Sequence, residues 1–388
     1  MAADRMPVNG DVLLWARQTA NLDVETAAQR VGTKPERLEQ WEAGTTGPTL
    51  NQLRTLSKVY SRPLGALMMP FPPNEPPAPT LPDFRRPQEQ AHVRSSALQK
   101  AIVRARQQRE DLLEVSDLLG ENAETREPSF RFRKEDGADK IGEAVRALLH
   151  LDSIADSKFA RPDEALRILV DQVERLGVLV IQVQKVPENI MRGFSLAEEQ
   201  FPVIAINSAD WSRGKIFTLL HELVHVGLRA SGLCDLQQES DQEVERLCDA
   251  AAGAALMPKE DILRLSFDLP RPFNIKQMSA IGKPFGASGE AAMLRLVSLG
   301  RVTWDEYFAL RPEFKAAYKS FKDNEKATRD KEAPIYYQLK VRDLGRPFIR
   351  KVLQAYGEDA VSSRDLAVML DVKFDKVPKL AKMVGTIR

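Results

Sequence analysis

Cysteine is scarce in this chain of 388 residues, which has only Cys234 and Cys248. Two cysteines are too few for a disulfide framework, and a reducing compartment is their simplest setting. Apolar runs long enough to span a membrane are also lacking, and the first ten residues have no apolar core like that of a signal peptide. These absences argue against a disulfide-stabilised secreted scaffold and against a membrane protein. The cytoplasm is therefore the expected compartment.

The chain also has little bias of charge. Its 56 basic and 55 acidic residues give a formal net charge of +1, and hydrophobic residues make up 43% of the sequence. This is the composition of a globular protein, and the overall charge does not by itself indicate a nucleic-acid partner. At this length, two or three domains are expected.

Histidine is rare as well, with four residues in the chain, and two of them stand in one five-residue motif. The motif His221-Glu222-Leu223-Val224-His225 has the spacing that puts both imidazoles on one face of a helix. Two imidazoles in this arrangement bind zinc, and Glu222 is placed to take a proton from water activated by the metal. The alternative is a pair of ordinary, partly buried histidines. Apolar residues at helical spacing on both sides of the motif favour the zinc site.

A third zinc ligand is predicted 20 residues beyond the motif. Glu245 lies in a second helical stretch, and Asp249 follows it by one turn on the same face. Glu245 would complete a three-ligand zinc site, and Asp249 would accept the second ring N–H of a ligating histidine. The alternative is a solvated acidic face that pairs with Arg246. Cys248 is expected to be a small buried core thiol rather than a ligand.

The first 70 residues indicate four short helices separated by sharp turns. Asp23 and Gly32 suit the start and the end of the second helix. Thr33 is predicted to cap the third helix, and the fourth begins near Thr49. A helix, a glycine-containing turn and a second helix form the arrangement that places its second helix in the major groove of DNA.

Three segments in this region, 27–33 (AAQRVGT), 38–44 (LEQWEAG) and 48–57 (PTLNQLRTLS), follow one another in an order that resembles a known family. They are similar to the helix-turn-helix domain of the Cro/C1-type repressors, the xenobiotic-response-element family. The resemblance implies a double-stranded DNA operator and a homodimer on a two-fold site. It implies contacts to bases or nearby backbone from Lys34, Pro35, Glu36, Arg37 and Gln40.

A protein-contact role is the alternative for this region. Glu36 would repel phosphate at an exposed recognition position, and residues 1–70 carry a nearly balanced charge. The affinity for DNA gained by neutralising phosphates would then be small. A helical bundle that contacts other proteins would have the same pattern of buried residues.

A small sheet is predicted immediately before the zinc motif. Residues 139–176 indicate two helices, and the apolar, β-branched run 178–183 indicates a strand. Two further strands are predicted near 190–195 and 203–206. The second domain is therefore expected to be of the α+β class.

Four segments of the second domain resemble the ImmA/IrrE family of zinc metallopeptidases. They are 192–196 (RGFSL), 204–207 (IAIN), 217–225 (FTLLHELVH) and 245–258 (ERLCDAAAGAALMP). The resemblance implies a zincin-like fold and a cytoplasmic endopeptidase that cleaves a repressor. Its combination with a repressor-type domain also recurs beside toxin–antitoxin loci. By this resemblance His221, His225 and Glu245 hold Zn²⁺, and Glu222 is the catalytic base.

A side chain that stabilises the oxyanion of a peptidase reaction is expected near the metal. No motif places one. The two remaining histidines, His92 and His150, stand outside any motif. Arg192, Arg213 and the tyrosine residues are candidates.

The C-terminal end is predicted to contain a further group of short helices. Residues 362–367 resemble the start of a helix, and this end is interpreted as a packing or partner-binding module. A second DNA-binding unit is the alternative.

These features predict a multidomain protein with an all-α helix-turn-helix domain, an α+β zincin-like metallopeptidase domain with a small sheet, and a mainly helical C-terminal region. The expected function is a DNA-binding regulator with a zinc endopeptidase that cleaves or controls a repressor- or antitoxin-type protein. The expected protein substrate or partner is a repressor or a toxin. One rival is a non-proteolytic antitoxin or repressor whose zinc domain binds a partner. Another is a peptidase whose first domain recognises a related repressor. The predicted divisions are a helix-turn-helix domain (1–70), a proline-rich linker (71–91), a linker helix region (92–138), the peptidase domain (139–300) and the C-terminal region (301–388).

Overall fold

The computed structural model describes residues 5–20, 22–60, 62–73, 96–153, 159, 161–230, 238–329 and 336–385. Two compact units divide the chain, residues 1–104 and 105–388. Most of the predicted linker, residues 74–91, lies outside the described residues, and the finer domain boundaries stay a prediction. Among the described helices, none is both long and apolar enough to cross a membrane.

Four α-helices with a shared core make up most of the first unit. They are α1 (Gly10–Thr19), α2 (Val24–Val31), α3 (Pro35–Glu42) and α4 (Leu50–Tyr60), and α5 (Ser96–Leu118) contributes residues to both units. Fully buried apolar side chains from all four helices fill the core, because each helix presents one apolar face. The largest of these side chains are Leu13, Leu38, Trp41, Leu53 and Leu56.

The ends of α2 confirm the predicted cap and stop signals. The Asp23 carboxylate accepts the backbone N–H of Thr26, and Gly32 ends the helix in the left-handed conformation at φ 76°. The prediction that Thr33 caps α3 is wrong, because Lys34 occupies the N-cap position. The Thr33 amide instead donates to the Ala28 carbonyl and closes the end of α2.

Twelve further α-helices and three strands belong to the second unit in the described part of the chain. The helices are α6 (Gly137–Leu148), α7 (Pro162–Arg175), α8 (Ser212–Leu228), α9 (Gln238–Leu256), α10 (Lys259–Ser266), α11 (Ile275–Gly282), α12 (Gly289–Ser298), α13 (Trp304–Arg329), α14 (Tyr336–Leu344), α15 (Arg346–Gly357), α16 (Ser363–Met369) and α17 (Val377–Val384). The unit is mostly helical, and the predicted small sheet is confirmed.

The sheet has three strands, β1 (Leu179–Val183), β2 (Gly193–Leu196) and β3 (Val203–Asn207), in the order β1-β3-β2. β1 runs parallel to β3, and β2 runs antiparallel to it, so the sheet is mixed. All five residues of β3 are buried, as expected for a central strand with both faces covered. β2 is an edge strand of this sheet, and its other neighbour in space is α8.

Small residues let α6 and α9 pack unusually close to each other. A Cβ atom added to Gly142 of α6 would lie 2.6 Å from Cβ of Ala254 and 2.8 Å from the Ala255 nitrogen. The run of alanine and glycine at the end of α9 therefore serves packing. It fixes α9, which also contacts α8, at a defined depth in the core.

The C-terminal helices contact the rest of the unit through α14, which packs against β1, and through the start of α15. Glu174, at the end of α7, lies against the first turn of α15, and burial, followed by the nearby charge of Asp171, raises the pKa of its carboxyl group to about 8. At the same face, the Arg350 guanidinium donates to the Val384 carbonyl at 2.8 Å, and that of Arg346 donates to the Met383 carbonyl at 3.2 Å. These bonds satisfy carbonyls at the end of α17.

Gly227, near the end of α8, makes room for an aromatic ring. Its carbonyl accepts the backbone N–H of Phe132, and a Cβ atom at this position would lie 2.2 Å from Cδ2 of that ring. We expect Gly227→Ala to lower the free energy of unfolding by roughly 1–2 kcal/mol, because the overpacking outweighs the better helix propensity of alanine. Chemical denaturation measures the difference.

Gly253 of α9 supplies the matched control for this prediction. A Cβ atom there would meet only Cδ of Arg295, at 3.9 Å. Gly253→Ala should therefore stabilise the protein by up to about 1 kcal/mol through helix propensity. If both variants are stabilised, Gly227 is not required for packing.

Candidate metal centre

The predicted zinc motif lies in the buried middle of α8. Helix α8 has apolar residues on nearly all sides, and it contacts the sheet, α6, α7 and α9. His221 and His225 are one turn apart, and their side chains are only 3% and 6% exposed. Imidazoles at such depth need a partner for each ring nitrogen, because an unsatisfied buried polar atom is costly.

Helix α9 brings the third predicted ligand to the same point. The Oε1 atom of Glu245 lies 2.8 Å from Nε2 of His225, and its Oε2 atom lies 3.3 Å from Nε2 of His221. The two Nε2 atoms are 3.1 Å apart. His221, His225 and Glu245 therefore form a cluster in which each residue offers one ligand atom to a single position.

The outer ring nitrogens of both histidines face acceptors. Nδ1 of His221 lies 2.9 Å from Oδ1 of Asp249, and Nδ1 of His225 lies 3.1 Å from the Ala230 carbonyl oxygen. These contacts favour the tautomer with the proton on Nδ1, which leaves the Nε2 lone pair free to bind a cation. Asp249 has the position predicted for it, one turn beyond Glu245 on α9.

This donor set fits a divalent cation such as zinc. With bonds of about 2.0–2.1 Å, ligand atoms of a tetrahedral zinc ion are separated by roughly 3.3 Å. Here the two Nε2 atoms are 3.1 Å apart, one Glu245 oxygen lies 2.8 Å from His225, and the other lies 3.3 Å from His221. Two Nε2 lone pairs and a carboxylate would repel one another without a proton or a cation between them. A bound cation satisfies all three, and a set of two imidazoles and one carboxylate leaves a fourth position open.

The same histidines shift the acidity of Glu245. Burial raises the pKa of its carboxyl group. When the two histidines are protonated instead of metal-bound, hydrogen bonds from His221 and His225, and then their charges, outweigh burial and hold the pKa below its ordinary value. The carboxylate is thus in the ionised form that a metal ligand requires.

Glu222 points toward the edge strand. The residue is 7% exposed, and a Cβ atom on Gly193 of β2 would lie 3.3 Å from its Oε1 atom and 2.4 Å from Cγ2 of Thr218. A glycine in β2 therefore lets the strand approach α8 closely enough to place a main chain beside the Glu222 carboxylate. The zinc motif identified Glu222. Gly193 lies in segment 192–196, which resembles the peptidase family, but no role was predicted for it.

The turn after α8 was also not predicted, although it positions a partner of the site. Arg229 ends the helix in the left-handed conformation at φ 53°, and its guanidinium lies 3.3 Å from Glu127 and 3.5 Å from Glu199. This turn brings the Ala230 carbonyl to His225. Arginine is not a usual residue for this conformation, so the sequence alone would not reveal it.

Other residues considered from the sequence lie elsewhere. Cys248 is fully buried among core residues, as expected for a core thiol. Arg213 donates to the Ala287 carbonyl at 3.4 Å, and Arg192 lies on the exposed surface. His150 is exposed, and His92 lies outside the described residues. The four of these residues that the structure describes are therefore not among the metal ligands.

The residues predicted to contact DNA lie together in the first unit. Lys34 is the N-cap of α3, and the other four belong to that helix. Lys34, Glu36, Arg37 and Gln40 are exposed, and Pro35 is half-buried. Their positions agree with an exposed face of α3, and their contact with DNA stays a prediction.

Residues 173–297 match the family model of the IrrE N-terminal-like domain, Peptidase_M78. The matched range is less than half of the chain, and it contains the sheet, α8, α9 and all residues of the candidate metal centre. The family is one of metallopeptidases that are typically zinc-dependent. No curated protein matches the chain.

We expect purified protein to contain about one zinc ion per chain, and His221→Ala and Glu245→Ala to lose it, because each removes one of three ligands. Asp249→Asn should keep the zinc ligands but weaken affinity by about 10–100-fold. Elemental mass spectrometry and competition with a chelator measure these effects.

Glu243→Gln is the matched control, because Glu243 is an exposed carboxylate of α9. Its affinity for zinc should equal that of wild type. Wild-type protein that is free of zinc and rejects added zinc would contradict the assignment.

Proposed function

We propose that the protein is a cytoplasmic DNA-binding regulator that contains a zinc-dependent endopeptidase, and that its substrate is a repressor- or antitoxin-type protein. One observation supports the peptidase most strongly. Three ligand atoms, one from each of His221, His225 and Glu245, lie within 4.8 Å of one another, with Glu222 on the same helix as the two histidines. The match of residues 173–297 to a metallopeptidase family agrees with this proposal.

In the proposed reaction, His221, His225 and Glu245 hold the zinc. The bound ion would supply a lowered pKa for water and a polarised substrate carbonyl. Glu222 would accept a proton from the attacking water at its carboxylate and return that proton to the leaving amine. Gly193 allows strand β2 to approach Glu222, so a peptide lying along this edge would reach the carboxylate.

A buried, metal-bound platform without proteolysis is the second candidate function. It uses the same three ligands, and Glu222, which is 7% exposed, would then be a structural acid of α8. In this case the second unit would bind a partner such as a toxin. The role of Glu222 in catalysis separates the two candidates.

DNA binding is proposed for the first unit. Gly32 and Lys34 make a sharp turn between α2 and α3, and Lys34 and Arg37 are exposed cations at the start of α3. Such an arrangement suits a helix that enters the major groove. We propose that two copies bind a two-fold operator, since repressor domains of this type act as dimers.

We expect Glu222→Gln to abolish peptidase activity, by at least about 10²–10⁴-fold, while zinc content stays at the wild-type level. The amide has nearly the same shape as the carboxylate but cannot accept the proton. Cleavage of a proteome-derived peptide library, followed by mass spectrometry of the new termini, measures activity against many candidate sequences at once.

Glu243→Gln serves again as the matched control and should cleave like wild type. The same comparison in cells, made on the new protein N-termini of strains that carry each variant, would name the substrate. Equal activity of Glu222→Gln and wild type would overturn the peptidase proposal.

For the first unit, we expect full-length protein to enrich a two-fold symmetric sequence from a pool of random DNA duplexes. Gln40→Ala should relax the selected sequence at the contacted base pair, at a cost of about 1–3 kcal/mol in discrimination. Arg54→Ala, an exposed substitution on α4, is the control. A selected sequence that is unchanged by Gln40→Ala would argue against base contact by α3.

A further inference from the structure

The C-terminal helices α16 and α17 contain a turn with the same backbone geometry as the turn between α2 and α3. Each pair begins with a side-chain cap. Ser362 Oγ accepts the backbone N–H of Asp365, and Asp23 Oδ1 accepts that of Thr26. In both cases the capping side chain accepts the backbone N–H of the residue three positions further along the chain.

The turns that follow occur at the same distance from the two caps. Asp371 stands nine residues after Ser362 and has a left-handed backbone at φ 49°. Gly32 stands nine residues after Asp23 and has φ 76°. A left-handed aspartate is uncommon, and it marks the end of α16 where a glycine marks the end of α2.

The hydrogen bonds through the two turns also coincide. The Asp371 amide donates to the Val368 carbonyl, as the Gly32 amide donates to that of Gln29. The next hydrogen bond has the same span in both pairs. The amide of Thr33 donates to the carbonyl of Ala28, and the amide of Val372 donates to the carbonyl of Ala367.

Both turns continue through an extended lysine. Helix α3 begins directly after Lys34, and a 3-10 turn, Phe374–Lys376, separates Lys373 from α17. Lys34 has φ −84° and ψ 147°, and Lys373 has φ −66° and ψ 143°. Each lysine stands eleven residues after its cap. The backbone bond from the amide of Arg37 to the carbonyl of Lys34 is repeated by the bond from Lys376 to Lys373.

The buried positions agree with this correspondence between the two segments. Ala27, Leu38 and Trp41 are fully buried in the first unit, at four, fifteen and eighteen residues beyond the cap. Buried residues occupy the same three positions of the C-terminal pair, so the two helices pack through the same faces. They are Leu366, Val377 and Leu380.

The exposed face of the C-terminal pair carries more positive charge than that of the first pair. Lys373, Lys376, Lys379 and Lys382 are all exposed. The exposed acids of the pair are Asp365, Asp371 and Asp375, and the last lies 3.0 Å from Lys376. The matching positions of the first pair are held by Lys34, Arg37, Gln40 and Ala43.

The start of the first helix of each pair shows the same difference. Ser363 and Arg364 are exposed at the first two positions of α16, where α2 has Val24 and Glu25. Residues 336–385 contain ten basic and six acidic side chains, a net charge of +4 in a chain whose total is +1. An excess of cations on one exposed helix face suits a polyanion.

We propose that α16 and α17 form a second helix-turn-helix unit, which binds the phosphate backbone of double-stranded DNA through Lys373, Lys376 and Lys379. The backbone geometry supplies the turn, and the four exposed lysines supply the charge complementarity. This proposal goes beyond the DNA contact proposed for α3, and the two proposals are tested separately.

The test uses full-length protein and a fluorescent 30-base-pair duplex of mixed sequence. Binding is measured by anisotropy between 50 and 300 mM salt. The triple variant Lys373→Gln, Lys376→Gln, Lys379→Gln should bind about tenfold more weakly or worse at low salt. The slope of log affinity against log salt should fall by about 2–3, since each lost phosphate contact removes roughly 0.9.

A matched control removes the same charge elsewhere in the second unit. Lys259, Lys276 and Lys283 are exposed outside the C-terminal helices. Their triple glutamine variant should keep nearly the wild-type affinity and slope. The variant Lys373→Arg, Lys376→Arg, Lys379→Arg should also keep both, because it retains the charge. Unchanged melting temperatures show that the variants are folded.

Two results would overturn the proposal. One is a C-terminal triple glutamine variant with wild-type affinity and slope, which is the result expected for a face that binds protein. The other is an equal loss of DNA affinity in the C-terminal and control glutamine variants, which would show that the effect comes from net charge alone. A double variant Lys34→Gln, Arg37→Gln distinguishes the two units: wild-type binding by it would contradict the contact through α3 and leave the C-terminal unit supported.

Discussion

The convergence of two imidazole nitrogens and one carboxylate between α8 and α9 is the constraint on which the second unit depends. The Nε2 atoms of His221 and His225 are 3.1 Å apart, and a Glu245 oxygen lies 2.8 Å from one of them. Unshared electron pairs at these distances repel unless a cation or a proton lies between them. Without a cation, this arrangement of three atoms is unfavourable. The rest of the unit must therefore hold α8 and α9 in place.

Packing supplies that support on both sides of the site. Gly142 and the small residues of α9 allow α6 and α9 to approach closely, and this close approach fixes the helix that bears Glu245. Gly193 does the same for β2 and α8, beside Glu222. In each case a glycine permits a close contact that any side chain would prevent. The outer contacts of the two histidines, to Asp249 and the Ala230 carbonyl, then fix the orientation of the rings.

Much of the local structure was predictable because its signals are short in range. Asp23 caps α2, Gly32 ends it, and the apolar run at 178–183 forms a strand, as its β-branched residues predict. The cap predicted at Thr33 failed because its amide closes the end of α2, so that the next residue takes the N-cap position. Local composition does not distinguish these two neighbouring positions.

The likeness of the two helix pairs was harder to detect from sequence. The start of a helix at 362–367 could be recognised, but the turn after it has Asp371 where the first pair has Gly32. An aspartate carries no strong signal for a left-handed backbone. The matching caps, hydrogen bonds and buried positions become visible only when the backbone is known.

The sequence by itself determined which residues could serve as ligands, because the i, i+4 spacing of His221 and His225 holds on any α-helix. It also determined the ends of α2 and the apolar faces, which depend on neighbouring residues. Only the tertiary structure decided that Glu245 meets both histidines at one position and that β2 lies beside Glu222. Those contacts join segments far apart in the chain, and their distances depend on how closely whole helices and strands pack.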